Sequence, residues 1–139
     1  MELNLSDSEL VVMRVVWSLG EGSLNQINDS LLQRFDWSIS TVKTFLARLV
    51  KKELLVTRRD GRKYIYSPTC TEDEAIHTMT SEFLRKVCAK KHISVLLQAV
   101  QESDFTKADK NLLEQTLAQK ESVEQVTCDC MSKMDICSC

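Results

Sequence analysis

A single amphipathic segment followed at once by a hairpin signal narrows the folds open to this chain more than any other feature. Over about residues 40–52, Val42, Phe45, Leu46 and Leu49 recur at i, i+3, i+4 and i+7, which predicts a helix with one buried stripe. Its other side carries Ser40, Thr41, Lys43, Thr44 and Arg48. Residues 54–58 and 63–67 are β-prone and flank Arg59-Asp60-Gly61-Arg62, and Asp-Gly is a strong signal for a tight hairpin. Pro68 ends the second strand. A helix that docks by one apolar face and shows short polar and basic residues on the other can lie in a DNA major groove. With a hairpin behind it, the pattern predicts a winged helix-turn-helix.

Two helices are expected before it. Ser6-Asp7-Ser8-Glu9 is a capping box, the run from Leu10 to Trp17 is almost wholly apolar, and Gly20 and Gly22 close that helix. Ser23 caps the second, with Leu24, Ile27 and Leu31 on one face, and Asp36-Trp37-Ser38 breaks it. Trp17 and Trp37 are expected as core anchors. Tyr64 and Tyr66 share one hairpin face and are expected to pack in the core rather than stack on bases.

Beyond Thr71, which opens another capping box with Glu74, the chain is helical again. Ile76, Met79, Phe83 and Val87 form one stripe. Ile93, Leu96, Leu97 and Val100 form a second, expected to point inward, and Leu112, Leu113, Leu117 and Val123 a third. The fold class is therefore mainly α with a small β-hairpin. Residues 1–69 make the winged-helix domain, 70–126 a helical dimerisation region and 127–139 a cysteine-rich metal-binding segment. The stripes exceed what three short helices can hide from water, so a homodimer is expected through Ile76, Met79, Phe83, Ile93, Leu96, Leu97, Leu113 and Leu117. A self-contained three-helix bundle is the alternative.

Charge supports a polyanionic partner by its placement. The chain carries −2 overall, yet residues 40–63 hold eight basic side chains against only Glu53 and Asp60. A basic block inside an acidic chain is an electrostatic footprint for DNA. Lys43 and Arg48 are candidates for guanine edges or phosphates, and Thr41 and Thr44 for phosphates or a thymine methyl, with Ser40 beside them on the DNA-binding face. Arg58, Arg59, Arg62 and Lys63 are placed to grip the flanking backbone. No nucleophile–base pair, phosphate-cradling glycine loop or histidine-rich site supports an enzyme. No apolar run is long enough to span a membrane and the start lacks a signal-peptide pattern, so a cytoplasmic location is expected.

Six cysteines in a reducing compartment point to metal rather than to disulfides. Cys128-Asp129-Cys130 and Cys137-Ser138-Cys139 are two Cys-x-Cys pairs. Four thiolates suit tetrahedral Zn(II), and soft sulfur also favours Cu(I). Met131 and Met134 lie in the spacer. Cys70 and Cys88 are expected to be buried apolar residues, and His77 and His92 surface or packing residues.

The run Val12-Met13-Arg14-Val15-Val16-Trp17, with Trp37-Ser38-Ile39-Ser40-Thr41-Val42-Lys43-Thr44-Phe45-Leu46-Ala47-Arg48-Leu49, resembles the BlaI/MecI/CopY family of bacterial repressors. The cysteine segment resembles that of its copper-responsive CopY branch, though with a longer spacer. Leu10 stands where the family often has Trp, and Glu53 where it often has Gly. The resemblance implies a homodimer on an inverted repeat with TACA and TGTA half-sites, zinc-loaded while it represses copper-export genes. Two Cu(I) would displace Zn(II) and free the DNA, with a copper chaperone as a further partner. One Zn(II) or two Cu(I) on four thiolates leave the same charge, so the implied switch is geometric. A β-lactam-responsive repressor and a copper-buffering or chaperone protein are the alternatives.

Overall fold

Capping chemistry fixes where the helices begin in the computed structural model, which describes residues 2–130. The Ser6 hydroxyl accepts from the Glu9 amide at 3.1 Å and Glu9 accepts from the Ser6 amide at 3.2 Å, opening α1 (Asp7–Leu19). Ser23 and Gln26 repeat the box at α2 (Leu24–Leu32), and Ser38 caps α3 (Ile39–Lys51). Strands β2 (Leu55–Asp60) and β3 (Lys63–Pro68) form the hairpin. Thr71 and Glu74 cap α4 (Glu72–Arg85). A 3-10 turn (Ala89–Lys91) leads into α5 (His92–Glu102), and Thr106 with Asp109 opens α6 (Lys107–Gln119).

One strand was not expected. The two-residue β1 (Gly22–Ser23) pairs antiparallel with β3, so the sheet runs β1-β3-β2. Two residues carry no readable alternation, which hides β1 in the sequence. Asp60 pairs with Lys63, leaving Gly61 and Arg62 as the turn. Gly61 has φ +63 while Arg62 does not share the left-handed region, the type II′ pattern with glycine first.

The end of α3 is built by backbone bonds. The Leu54 amide donates to the Leu49 carbonyl and the Glu53 amide to the Val50 carbonyl, both at 3.0 Å. This is a Schellman motif, with buried Leu49 and Leu54 as its apolar pair. It puts Glu53 at φ 62, a conformation glycine adopts without strain. A residue with a Cβ is therefore strained at this position.

The chain divides into two compact units, 1–80 and 81–139. The first centres on Val12, Met13 and Val16 of α1, Ile27 and Leu31 of α2, Val42, Leu46 and Leu49 of α3, and Leu55 of β2. Ala75 is fully buried and Met79 packs on this core. Expected to start at residue 70, the helical region thus shares the beginning of its first helix with the DNA-binding unit. Trp17 packs partly buried and donates its indole N–H to the Cys70 carbonyl at 2.9 Å. Trp37 stacks on Phe35 at 4.5 Å and meets Phe45 edge-on at 5.1 Å. Tyr66 packs against the core, but Tyr64 does not: it is 54% exposed, with the Arg59 guanidinium 5.9 Å from its ring centroid. Ile65 is buried on the opposite face of β3, while Tyr64 borders the open cleft between the hairpin, α2 and α3.

In the second unit Ile93, Leu96, Leu97 and Val100 do not point inward. They are exposed, as are Leu112, Leu113 and Leu117, Ile93 by 61% and Leu117 by 69%. No self-contained bundle buries these stripes among the described residues. No described helix is long and apolar enough to cross a membrane.

Candidate nucleic-acid interface and thiol cluster

Helix α3 turns its predicted faces as the periodicity requires. Val42, Leu46 and Leu49 are buried and Phe45 half-buried, while Ser40, Lys43, Thr44 and Arg48 are exposed and Thr41 is intermediate. The Thr44 hydroxyl donates to the Ser40 carbonyl at 3.0 Å, and Ser38 and Thr41 share their hydroxyls at 3.0 Å. These bonds hold short polar side chains close to the helix, so its backbone can approach a flat base edge.

The wing meets this helix across a cleft lined by Lys43 of α3, Ser23, Leu24 and Asn25, and Arg62, Lys63, Tyr64 and Tyr66 of the hairpin. Residues distant in sequence thereby bring three cations to one groove, a geometry suited to a phosphate backbone. Arg58 behaves differently: it donates to Glu21 at 2.7 Å, and the Ser67 hydroxyl donates to the other oxygen of that carboxylate. Lys52 is held by buried Glu9 at 2.6 Å. Burial alone would raise the Glu9 pKa, but hydrogen bonds from Lys52 and the Ser6 amide, with the charges of Lys52 and Arg48, hold it below the usual carboxylate value. Six of the block's eight cations, Lys43, Arg48, Lys51, Arg59, Arg62 and Lys63, carry no ion pair among the described residues. The footprint is thus smaller than the sequence count but lies on α3 and the wing.

The second unit holds a cluster of sulfur. The Sγ atoms of Cys88, Cys128 and Cys130 all lie within 4.8 Å of one another, with Cys88 and Cys128 3.7 Å apart. The Cys130 amide donates to the Cys128 sulfur at 3.4 Å. The Asp129 carboxylate accepts from the Ala89 amide at 2.8 Å. Expected as a buried apolar residue, Cys88 is instead half-buried and part of this cluster. Forty residues separate it from Cys128, so no spacing motif reveals it. Cys137 and Cys139, and the spacer Met131 and Met134, lie outside the described residues.

The donor set fits a soft metal: three sulfurs at mutual distances one ion can span, with no hard oxygen ligand in the group. Cys70 is buried as expected, and burial, with the Glu74 carboxylate second, pushes its thiol pKa up. The His92 Nε2 sits 2.7 Å from the Leu84 carbonyl and 3.0 Å from that of Val87, so it serves as a donor to the end of α4. His77 is exposed.

Three helices, an exposed polar and basic face on the third and a basic wing define a winged-helix DNA-binding protein. Residues 5–119 match the penicillinase repressor family, and the chain belongs to it. It is therefore a transcriptional repressor by family, a class of non-enzymatic regulators. It is 35% identical to an uncharacterised 16.5 kDa protein of Latilactobacillus sakei, covering 97% of this chain and 92% of that one. It is 30% identical to the penicillinase repressor of Bacillus licheniformis, covering 81% of this chain and 88% of that one. Among solved structures, a CopR repressor shares 51% identity over 49% of this chain and 99% of its own, with TM-score 0.43.

Proposed function

We propose that this repressor is gated by metal: a cytoplasmic homodimer that holds an inverted-repeat operator when zinc-loaded and leaves it when Cu(I) displaces Zn(II). The observation that carries this reading is the convergence of Cys128 and Cys130 sulfur on a third sulfur within 4.8 Å. Thiolates select Cu(I) and Zn(II) over hard cations, and a bound ion supplies a cross-link among segments that few apolar contacts hold. Cys137 and Cys139 offer further sulfur, from which a four-coordinate Zn(II) or a pair of Cu(I) ions would complete its set.

The chain's own residues perform the rest. Thr44 and Arg48 read base edges from α3, while Lys43, Arg62 and Lys63 hold the backbone. The exposed stripes of α5 and α6 support a symmetric partner, since apolar surface of this extent is buried in stable proteins. Two reading helices related by a two-fold axis match a palindromic site.

The relative named a penicillinase repressor favours a second reading, a β-lactam-responsive repressor. The family match ends at residue 119, before Cys128, and leaves the cysteine segment to the metal reading. A variant with Cys128, Cys130, Cys137 and Cys139 all changed to Ser separates the two. Metal gating predicts that Cu(I) releases the parent from an inverted TACA/TGTA duplex and that the variant loses both zinc-supported binding and the Cu(I) response, whereas a β-lactam-responsive repressor binds in both forms and ignores Cu(I). A variant released by Cu(I) as the parent is would refute these residues as the sensor.

A further inference from the structure

We infer that Cys88 is a third thiolate ligand of the metal held by Cys128 and Cys130, fastening the cysteine segment to the turn between α4 and α5. This rests on the metal-gated reading and extends it to a residue outside both Cys-x-Cys pairs.

Distance is the first argument. A tetrahedral site with metal–sulfur bonds of about 2.3 Å sets its sulfurs about 3.8 Å apart. Cys88 and Cys128 are 3.7 Å apart, the edge of such a site, and Cys130 lies within 4.8 Å of both. Small rotamer changes close the remaining gap.

Docking is the second. Asp129 stands between Cys128 and Cys130, and its carboxylate accepts the amide of Ala89, the residue after Cys88. One polar contact therefore sets both sulfurs of the pair beside the third. The turn beneath is itself fixed: the His92 ring donates to the Leu84 and Val87 carbonyls, tying the end of α4 to the start of α5. Cys88 has a non-helical backbone, φ −52 and ψ 135, just before the 3-10 turn.

Chemistry is the third. Each thiol that ligates gives its proton to solvent, so three thiolates on one Cu(I) release three protons and need no oxidant. Because Cys88 sits at a helix junction, exchange of a tetrahedral ion for Cu(I) pulls on α5 directly. The cysteine segment alone has no such lever.

The test is alkylation of the full chain with N-ethylmaleimide, read cysteine by cysteine by peptide mass spectrometry, without metal and with Cu(I) added anaerobically. We expect Cu(I) to slow modification of Cys88, Cys128 and Cys130 together, by about tenfold or more. Protection of Cys128 and Cys130 with Cys88 reacting at its metal-free rate overturns this inference and leaves the metal reading standing. No protection at any of the three overturns both. As a second measurement, Cys88→Ser is expected to bind Cu(I) about tenfold or more weakly against a competing chelator, with an unchanged helical circular dichroism spectrum. Asp129→Ala keeps every thiol and is expected to weaken the protection of Cys88 more than that of Cys130. Unchanged Cu(I) affinity in Cys88→Ser would also overturn the inference.

Discussion

Replacing Glu53 with glycine should stabilise the DNA-binding unit, although it removes a side chain and adds no contact. Glu53 is held at φ 62 by the Schellman bonds that end α3 and by the Thr69 hydroxyl, which donates to its carbonyl at 2.8 Å. All of these use backbone atoms and survive the substitution. A residue with a Cβ in the left-handed region costs about 1–2 kcal/mol relative to glycine. Glycine returns about 0.4–1 kcal/mol of that through the greater freedom of its unfolded chain. The difference is a net gain of about 0.5–1 kcal/mol. Urea denaturation of the full chain, followed by tryptophan fluorescence of Trp17 and Trp37, reads this unit. The midpoint should rise with the slope unchanged. Glu53→Ala keeps the strained backbone and should move the midpoint little. If glycine lowered the midpoint, or alanine raised it as much as glycine, the left-handed strain would not be the operative term.

Other perturbations follow the same physics. Glu9→Gln should cost about 1–2 kcal/mol by loosening Lys52 from the start of α1. Because folding lowers the Glu9 pKa, its contribution is full above the ordinary value of 4.5 and is lost as pH falls through the lower folded value, so the variant and parent should converge in acid denaturation. Arg48→Ala or Thr44→Ala should each weaken operator binding by about 1–3 kcal/mol, whereas Arg62→Ala should weaken all DNA evenly and reduce the salt slope by about one. Unchanged operator affinity in Arg48→Ala would count against α3 as the reader. Leu97→Asp should weaken dimerisation by about 3 kcal/mol or more, seen as monomer in sedimentation velocity.

Much of the first unit was legible because its signals are local. Capping boxes at Ser6, Ser23 and Thr71 begin helices where they stand, and the Val42/Leu46/Leu49 period sets the buried face of α3. What was hidden depends on distant partners. The short β1 exists only through β3, Arg58 and Lys52 are taken by Glu21 and Glu9, and Tyr64 stays exposed at the edge of the cleft beside Arg59. Cys88 looked like a packing residue for the same reason: its neighbours in space lie 40 residues away.

Fluorescence anisotropy of a labelled duplex bearing the inverted TACA/TGTA repeat, titrated with the full chain, tests the central claim most directly. The account predicts tight, saturable binding with Zn(II) present, then loss of that binding as Cu(I) is added under anaerobic conditions, with zinc appearing in solution as the anisotropy falls. Binding that persists at excess Cu(I), or release of DNA without release of zinc, would contradict it.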